Sequence, residues 1–382
     1  MIQMTERVPL FAIYWDDADV QRVTEAITSG RNWAIGAEVE EFEQALARYT
    51  GNRFSVTFNS GTSGLHAALL AHGVGEGDEV IVPSFTFIST ANAPLFVRAR
   101  PIFADIEEDT YGLAAGDVQE KITSRTKAIV PVHYGGCPCR IRELKEVADD
   151  NGLLLIEDAA ETLGATVDGQ PVGTFGVAAI LSFCQNKVIT TGEGGAVVTN
   201  SPSIYEQLKL IRSHGRVEHD NYFCSNERMD YVTLGHNFRM SNIVAALGIA
   251  QLEKVDKLIA MRREKAALLT AKLQSDVSAV IPPNPPSGYD HVYQMYTVEA
   301  PQRDDLMRFL AGKGIASKVY FEPVHLTHFY RHILKYADTL PITEEVAQRV
   351  ITLPMYPSLG NEDIDFMVDE IKRFYDLRGD DD

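Results

Sequence analysis

"SFCQNKVITTGEGG" (182–195) sets one lysine between two apolar runs, "VAAIL" (177–181) before it and "AVVTN" (196–200) after it. Both runs are short and rich in small and branched residues, and they read as interior strands. Lys187 therefore falls at a strand end, where the chain turns through a cluster of glycines. A lysine there must be paired, carried to a surface or used in chemistry, because an unpaired buried cation is costly. What the rest of the chain brings to that strand end decides which.

Further strands are expected at "FSVTF" (54–58), "EVIVP" (79–83), "PIFAD" (101–105), "KAIVPV" (127–132) and "GLLLIEDAA" (152–160). Amphipathic helical runs lie between them, among them "VEEFEQALARYTG" (39–51) and "IRELKEVADDNG" (141–152), each with a glycine at its end. Such alternation builds βαβ units, hence an α/β fold with a mostly parallel sheet covered by helices on both faces. A long helix is predicted over about 241–273, crossing from one domain to the next. Beyond it come a proline-rich loop, "IPPNPPSGYDH" (281–291), then "VYQMYTVEA", "DDLMRFLAGKG" and "IASKVYF" as strand, helix and strand. A C-terminal helix follows near 361–377. The expected division is a large domain over 1–255 and a smaller α+β domain over 256–382, with the N-terminal segment free to pack against the smaller one.

The 382 residues are 45% hydrophobic, enough for one large core plus a smaller one. A net charge of −18 argues against general affinity for nucleic acid, although a local pocket can still be positive. The start, "MIQMTERVPLFAIYWDDADV", carries acidic residues early and does not read as a signal peptide. No stretch approaches the roughly 18 apolar residues of a membrane-spanning helix. A cytoplasmic protein is expected. The four cysteines are Cys137, Cys139, Cys184 and Cys224. Cys-Pro-Cys is too tight for zinc-knuckle spacing, so free thiols and no metal are expected.

Open parallel sheets bind ligands at the carboxyl ends of their strands, and three strand ends here carry matching chemistry. In "NSGTSGLHAALLAHG" (59–73) a strand ends, Gly61 and Gly64 let the backbone turn, and a helix starts at once. Its free amides, with the hydroxyls of Thr62 and Ser63, make a seat for phosphate; the spacing fits neither a Walker nor a dinucleotide motif. Asp158 follows five nearly continuous apolar residues and should face a cation or a protonated ring nitrogen, with Glu157 and Glu161 as neighbouring alternatives. Lys187 is the third, with Ser182 five residues before it. A phosphate seat, a buried carboxylate and an interior lysine are what pyridoxal 5'-phosphate (PLP) requires: the lysine condenses with the aldehyde, and the carboxylate keeps the pyridine nitrogen protonated. Phe87, in "VPSFTF" (82–87), is a candidate to cover the ring face.

Taken in order, these motifs resemble the DegT/StrS-type (DegT/DnrJ/StrS) sugar aminotransferases, fold type I PLP enzymes. The resemblance runs from "GAEVEEFEQALARYTG" through "NSGTSGLHAAL", "GDEVIVPSFTFISTANA", "PIFADIEEDTYGL", "PVHYGG", "LLLIEDAAETLGA" and "SFCQNKVITTGEGGAVVTN". It ends with "LGHNFRMSNIVAALGIAQL" (234–252) and "LPMYPSL" (353–359). It implies an aspartate aminotransferase-like fold: a three-layer large domain with a mostly parallel sheet, plus a smaller C-terminal α+β domain. It implies Lys187 as the Schiff-base lysine, Asp158 as partner of the pyridine nitrogen and Phe87 as the stacking aromatic. Gly61, Thr62, Ser63 and Ser182 fall at the phosphate, and Glu161 near the cofactor. Asn237, in "GHNFRM", would reach the phosphate of the neighbouring subunit in an obligate homodimer. Small residues at Ala245, Ala246, Gly248 and Ala250 would allow helices to approach closely across that interface. Cys137 departs from the polar residue more usual at its position. Relatives with histidine at the lysine position dehydrate instead, so Lys187 favours transamination.

The implied reaction is ping-pong, with an amino-acid donor, L-glutamate, and the keto group of a nucleotide-linked sugar as acceptor. Freed Lys187 would be the general base for the proton shift. Trp33, Arg239, Tyr320 and His325 are candidate acceptor-side residues, each with a plain structural alternative. Arg31, Lys318 and Arg331 are candidates for the positive charge such an acceptor needs. Two other readings compete. One keeps the chemistry but uses a keto-cyclitol or an aminobenzoate-type acceptor; the other is a non-catalytic PLP-binding protein, which the lack of a DNA-binding helix-turn-helix ahead of the fold disfavours.

Overall fold

The computed structural model describes residues 7–30, 32–217 and 229–379. Among the described residues, twelve strands run in chain order. β1 (Phe54–Phe58), β2 (Glu79–Pro83), β3 (Arg100–Ala104), β4 (Thr126–Ile129) and β5 (Leu154–Asp158) come first. Then come β6 (Thr166–Val167), β7 (Gln170–Pro171), β8 (Ala178–Ser182), β9 (Gly195–Thr199), β10 (Tyr289–Asp290), β11 (Tyr296–Glu299) and β12 (Val350–Leu353). Seven of them form the central sheet in the order β1-β9-β8-β5-β4-β2-β3. All neighbours from β8 to β3 pair in parallel, whereas β9 pairs antiparallel with both β8 and β1. β9 is thus the one reversed strand in this sheet. Because it runs back directly from β8, the chain between them, with Lys187, stays at the carboxyl edge of the sheet.

The helices are α1 (Asp17–Thr28), α2 (Ala37–Thr50), α3 (Gly61–Ala71), α4 (Ile88–Phe96), α5 (Ala115–Lys121) and α6 (Ile141–Asp150). They continue as α7 (Pro202–Arg212), α8 (Asn242–Leu252), α9 (Val255–Asp276), α10 (Arg303–Gly312), α11 (Pro341–Arg349) and α12 (Asn361–Gly379). Strand alternation divides the sheet's side chains between two layers. Val56, Ile156, Ile180 and Val197 pack with α3, α4 and α7 on one face; Ala179, Leu181, Ala196 and Val198 pack with α2 and α8 on the other.

The helix predicted over 241–273 is two helices. α8 ends at Leu252, and Lys254 at the break places Nζ 2.8 Å from Asp19 Oδ2 and against Asp16, both at the start of α1. A second core gathers Val8, Ala266, Leu269 and Leu273 with β11, β12, α10 and α12. The first turns of α9, by contrast, pack Val255, Leu258 and Ile259 against the α2 and α8 layer. The packing of α9 therefore changes partners around Arg262, whose buried guanidinium donates to the carbonyls of Tyr293, Gln294 and Met355. "IASKVYF" is not a regular strand: it makes single bridges, Ile315 to Val8 and Lys318 to Thr352, and the partner of β11 is β12.

The small residues of α8 face inward within one chain rather than outward. Ala245 and Ala246 are fully buried, and a side chain at Gly248 would sit 2.6 Å from the Phe42 ring of α2. That stripe lets α8 close on α2. Among the described residues, no helix is long and apolar enough to cross a membrane, and no group of three or more His, Cys, Asp or Glu could hold a metal ion. Cys137 and Cys139 are buried free thiols; burial pushes Cys137 up to about 12 and Cys139 well above the usual thiol range. Cys224 and Arg31 lie outside the described residues.

Candidate active site

The α3 end of the site forms because Ser60 caps the helix, accepting from the Ser63 amide at 3.1 Å. The Gly61 and Thr62 amides that follow have no partner within the helix, as at any helix start, and point out of the sheet edge. The seat is built against the strands behind it. A side-chain carbon at Gly195 would lie 2.5 Å from the Gly61 nitrogen, and one at Gly61 would lie 3.2 Å from Ser182 Cβ. Gly195 must be glycine for β9 to pass under the seat, and this brings Ser182, at the end of β8, beside Gly61. Ser63 Oγ donates to Asn59 Oδ1 at 2.6 Å, and Thr62 Oγ1 meets Ser89 Oγ at 2.7 Å.

Lys187 Nζ lies 3.1 Å from Glu161 Oε1, and the other carboxylate oxygen of Glu161 accepts the Gly135 amide at 2.8 Å. This pair is largely buried, the side chains being 14% and 7% exposed. Lys187 is thus paired by the residue that the resemblance sets near the cofactor.

The adjacent acids of β5 separate cleanly. Glu157 is fully buried and accepts the amides of Gly173, Phe175 and Gly176 at 2.8 Å each. His133 Nε2 adds a fourth contact at 3.1 Å; its Nδ1 accepts the Cys139 amide, so the Nε2 proton faces Glu157. Asp158 points the other way. Its Oδ2 accepts from Thr90 Oγ1 at 2.8 Å and its Oδ1 from the Ala160 amide at 3.2 Å. It forms no ion pair among the described residues, and burial raises its pKa against the opposing pull of these hydrogen bonds and of Lys187. A buried carboxylate left in this state is matched by a protonated nitrogen arriving from the site. With the amides of α3, Lys187 and Ser182 at the same sheet edge, this set of residues fits a group that carries a phosphate, an aldehyde and a ring nitrogen.

Phe87, the residue ahead of α4, is 57% exposed, with its ring 6.0 Å from that of Phe321. Tyr320 is half-buried; its carbonyl accepts from Tyr134, and Glu161 and Cys184 are close enough to add to the burial that raises its pKa. The remaining acceptor-side candidates have partners elsewhere. His325 is 2% exposed and committed on both ring nitrogens, to Ser84 at 2.6 Å and to Glu344 at 3.2 Å. Arg239 donates to Ser213 at 3.3 Å, and Trp33 is 52% exposed with its indole on the Ile27 carbonyl. Lys318 lies over the Tyr320 ring, Arg331 is exposed on the turn at Phe329–Ile333, and Asn237 is exposed beside the bridge to Ser213. Sequence reasoning missed Thr90, Ser89, Gly135 and His133. The hydroxyls of "TFIST" (86–90), spaced to fall on one turn, were the available signal for the first two.

An α/β protein that holds a lysine, an unmatched buried carboxylate and an anion seat at one sheet edge is built for carbonyl–amine chemistry with a phosphorylated ring. The chain belongs to the DegT/DnrJ/EryC1/StrS aminotransferase family, which matches residues 14–372. It is 36% identical over 371 residues to a GDP-perosamine synthase of Escherichia coli O157:H7, covering 96% of this chain and 98% of that one. To the GDP-perosamine synthase of Caulobacter vibrioides it is 39% identical over 340 residues, 88% and 89% of the two chains. The solved PLP-form of Spr1654 from Streptococcus pneumoniae superposes with a TM-score of 0.90 at 26% identity, covering 96% of this chain and 98% of that one.

Proposed function

We propose that this aminotransferase uses PLP bound at Lys187 to move an amino group from L-glutamate to the keto group of a nucleotide-linked sugar, for amino-sugar biosynthesis. The observation that carries the reading is the convergence of Lys187, Asp158 and the α3 amides on one edge of the sheet. PLP supplies the electron sink when bound. The chain's own residues divide the remaining work. The α3 amides, Thr62, Ser63 and Ser182 hold the phosphate, and Phe87 covers the ring face. Asp158 keeps negative charge at the ring nitrogen. Lys187 takes and returns the proton that amino transfer moves, with Glu161 fixing where Nζ waits. A homodimer, with Asn237 completing the partner's site, and a cytoplasmic setting belong to the same reading.

The nucleotide gives the acceptor its handle, because remote contacts to a diphosphate and base can orient a small keto group. Two relatives named GDP-perosamine synthase make GDP the first nucleotide to try. The test compares glutamate-dependent amination of matched GDP-linked and free keto-sugars, and of a keto-cyclitol. The linked sugar should win by a large factor in kcat/KM, more so at low salt. Equal rates on the free sugar or the cyclitol transfer the reading to that acceptor class. Lys187→Ala should lose both turnover and the visible absorbance of covalently held PLP.

A further inference from the structure

Five residues at the start of α4, "TFIST" (86–90), reach both the buried carboxylate and the phosphate seat of the site described above. Thr90 reaches Asp158 at 2.8 Å, Ser89 reaches Thr62 of the phosphate seat at 2.7 Å, and the ring of Phe87 in the same turn is exposed. Thr86 stands behind, 2.9 Å from Thr90, and both threonines are nearly inaccessible. The direction of these bonds is fixed by chemistry. An ionised carboxylate only accepts, so Thr90 donates to Asp158; its single proton is then spent, and Thr86 must donate to Thr90. The chain of donors ends on Asp158, where each bond polarises the next and favours the anion.

We propose that this turn is a gauge: Thr90, backed by Thr86, is a positioning residue that keeps Asp158 ionised and aimed, while Ser89 fixes the phosphate seat at the matching distance. The inference rests on the PLP reading above. Without the Thr90 donor the carboxylate is less stable as an anion, so a proton shared with the ring nitrogen moves toward oxygen. Without Ser89, Thr62 loses its anchor and the seat loosens, while the nitrogen is untouched.

The test uses full-length protein reconstituted with PLP labelled with ¹⁵N at the ring. Wild type should show the protonated-nitrogen chemical shift and Asp158→Asn the neutral limit. Thr90→Val should move the signal from the first toward the second, and Thr90→Ser should restore it. Ser89→Ala should weaken PLP affinity about fivefold, the equivalent of one ordinary hydrogen bond, with the nitrogen signal unchanged. If Thr90→Val does not fold, Thr86→Val should give a smaller shift in the same direction. A nitrogen signal unmoved in the threonine variants that fold, or moved equally by Ser89→Ala, overturns the gauge. Wild type that binds no PLP overturns the cofactor reading instead.

Discussion

Glu157 and Asp158 are chemically similar neighbours with opposite duties, because β5 sends successive side chains to opposite faces. Glu157 closes the loop at 173–176 through three amides and His133. Glu157→Gln removes the charge from all four bonds and should cost about 2–4 kcal/mol, on the scale of charge-assisted hydrogen bonds. The urea midpoint should fall while PLP absorbance at saturation is retained. Asp158→Asn should spare the midpoint and still bind PLP, but lose turnover. The folded pKa of Asp158 is raised, so its favourable neutral form is lost as pH climbs through that pKa, and at neutral pH the buried anion costs stability. The cofactor-free variant should therefore be at least as stable as wild type, while amino transfer slows by orders of magnitude. Both acids were visible in the sequence as strand-end candidates. Alternation separates them but does not say which face is the site; their partners His133 and Thr90 distinguish the two environments, and each comes from a distant stretch of chain.

The seat at α3 depends on β9 passing beneath it. Gly195→Ala would press a methyl group against the backbone at Ser60 and Gly61, which cannot give as a side chain can. At the roughly 1–3 kcal/mol of overpacking, PLP affinity should drop by about tenfold or more in a fluorescence titration. Gly61→Ala comes no closer than 3.2 Å to a neighbour, Ser182 Cβ, and should be milder; equal losses would mean the seat does not rest on β9. Central strands were readable because burial on both faces makes them nearly continuous apolar runs. The break at Glu253–Lys254 was not, since nothing local ends the helix: Lys254 is drawn aside by Asp16 and Asp19 of α1. Nor was the strand β12, whose partner β11 is set by packing rather than by sequence neighbourhood.

At the scale of the whole molecule, exposed Asn237 is the expected link between two chains. A mixed dimer of Asn237→Ala and Lys187→Ala chains separates the arrangements. If each site draws Asn237 from the partner, one site carries both lesions and the other neither, and about half the activity per dimer survives as the two possible sites are counted. If each chain supplies its own Asn237, no site is intact and the mixture stays near the level of the defective parents. The small residues of α8 had pointed to that interface from the sequence, but spacing alone does not distinguish a neighbouring helix of the same chain from one of another. Phe42 of α2 is the neighbour.

The reversed strand has a further effect on how the molecule comes into being. Phe54 lies opposite Thr199 and Phe58 opposite Gly195, so the floor of the α3 seat is contributed by chain made long after the seat itself. Such distant pairing carries a large loop-closure cost and forms slowly. A chain still emerging from the ribosome has the amides of α3 but neither Lys187 nor the strand beneath them. On the PLP reading, capture of the cofactor should therefore be confined to molecules whose central sheet is already closed, and the colour it brings should mark the completed fold rather than an early compact state.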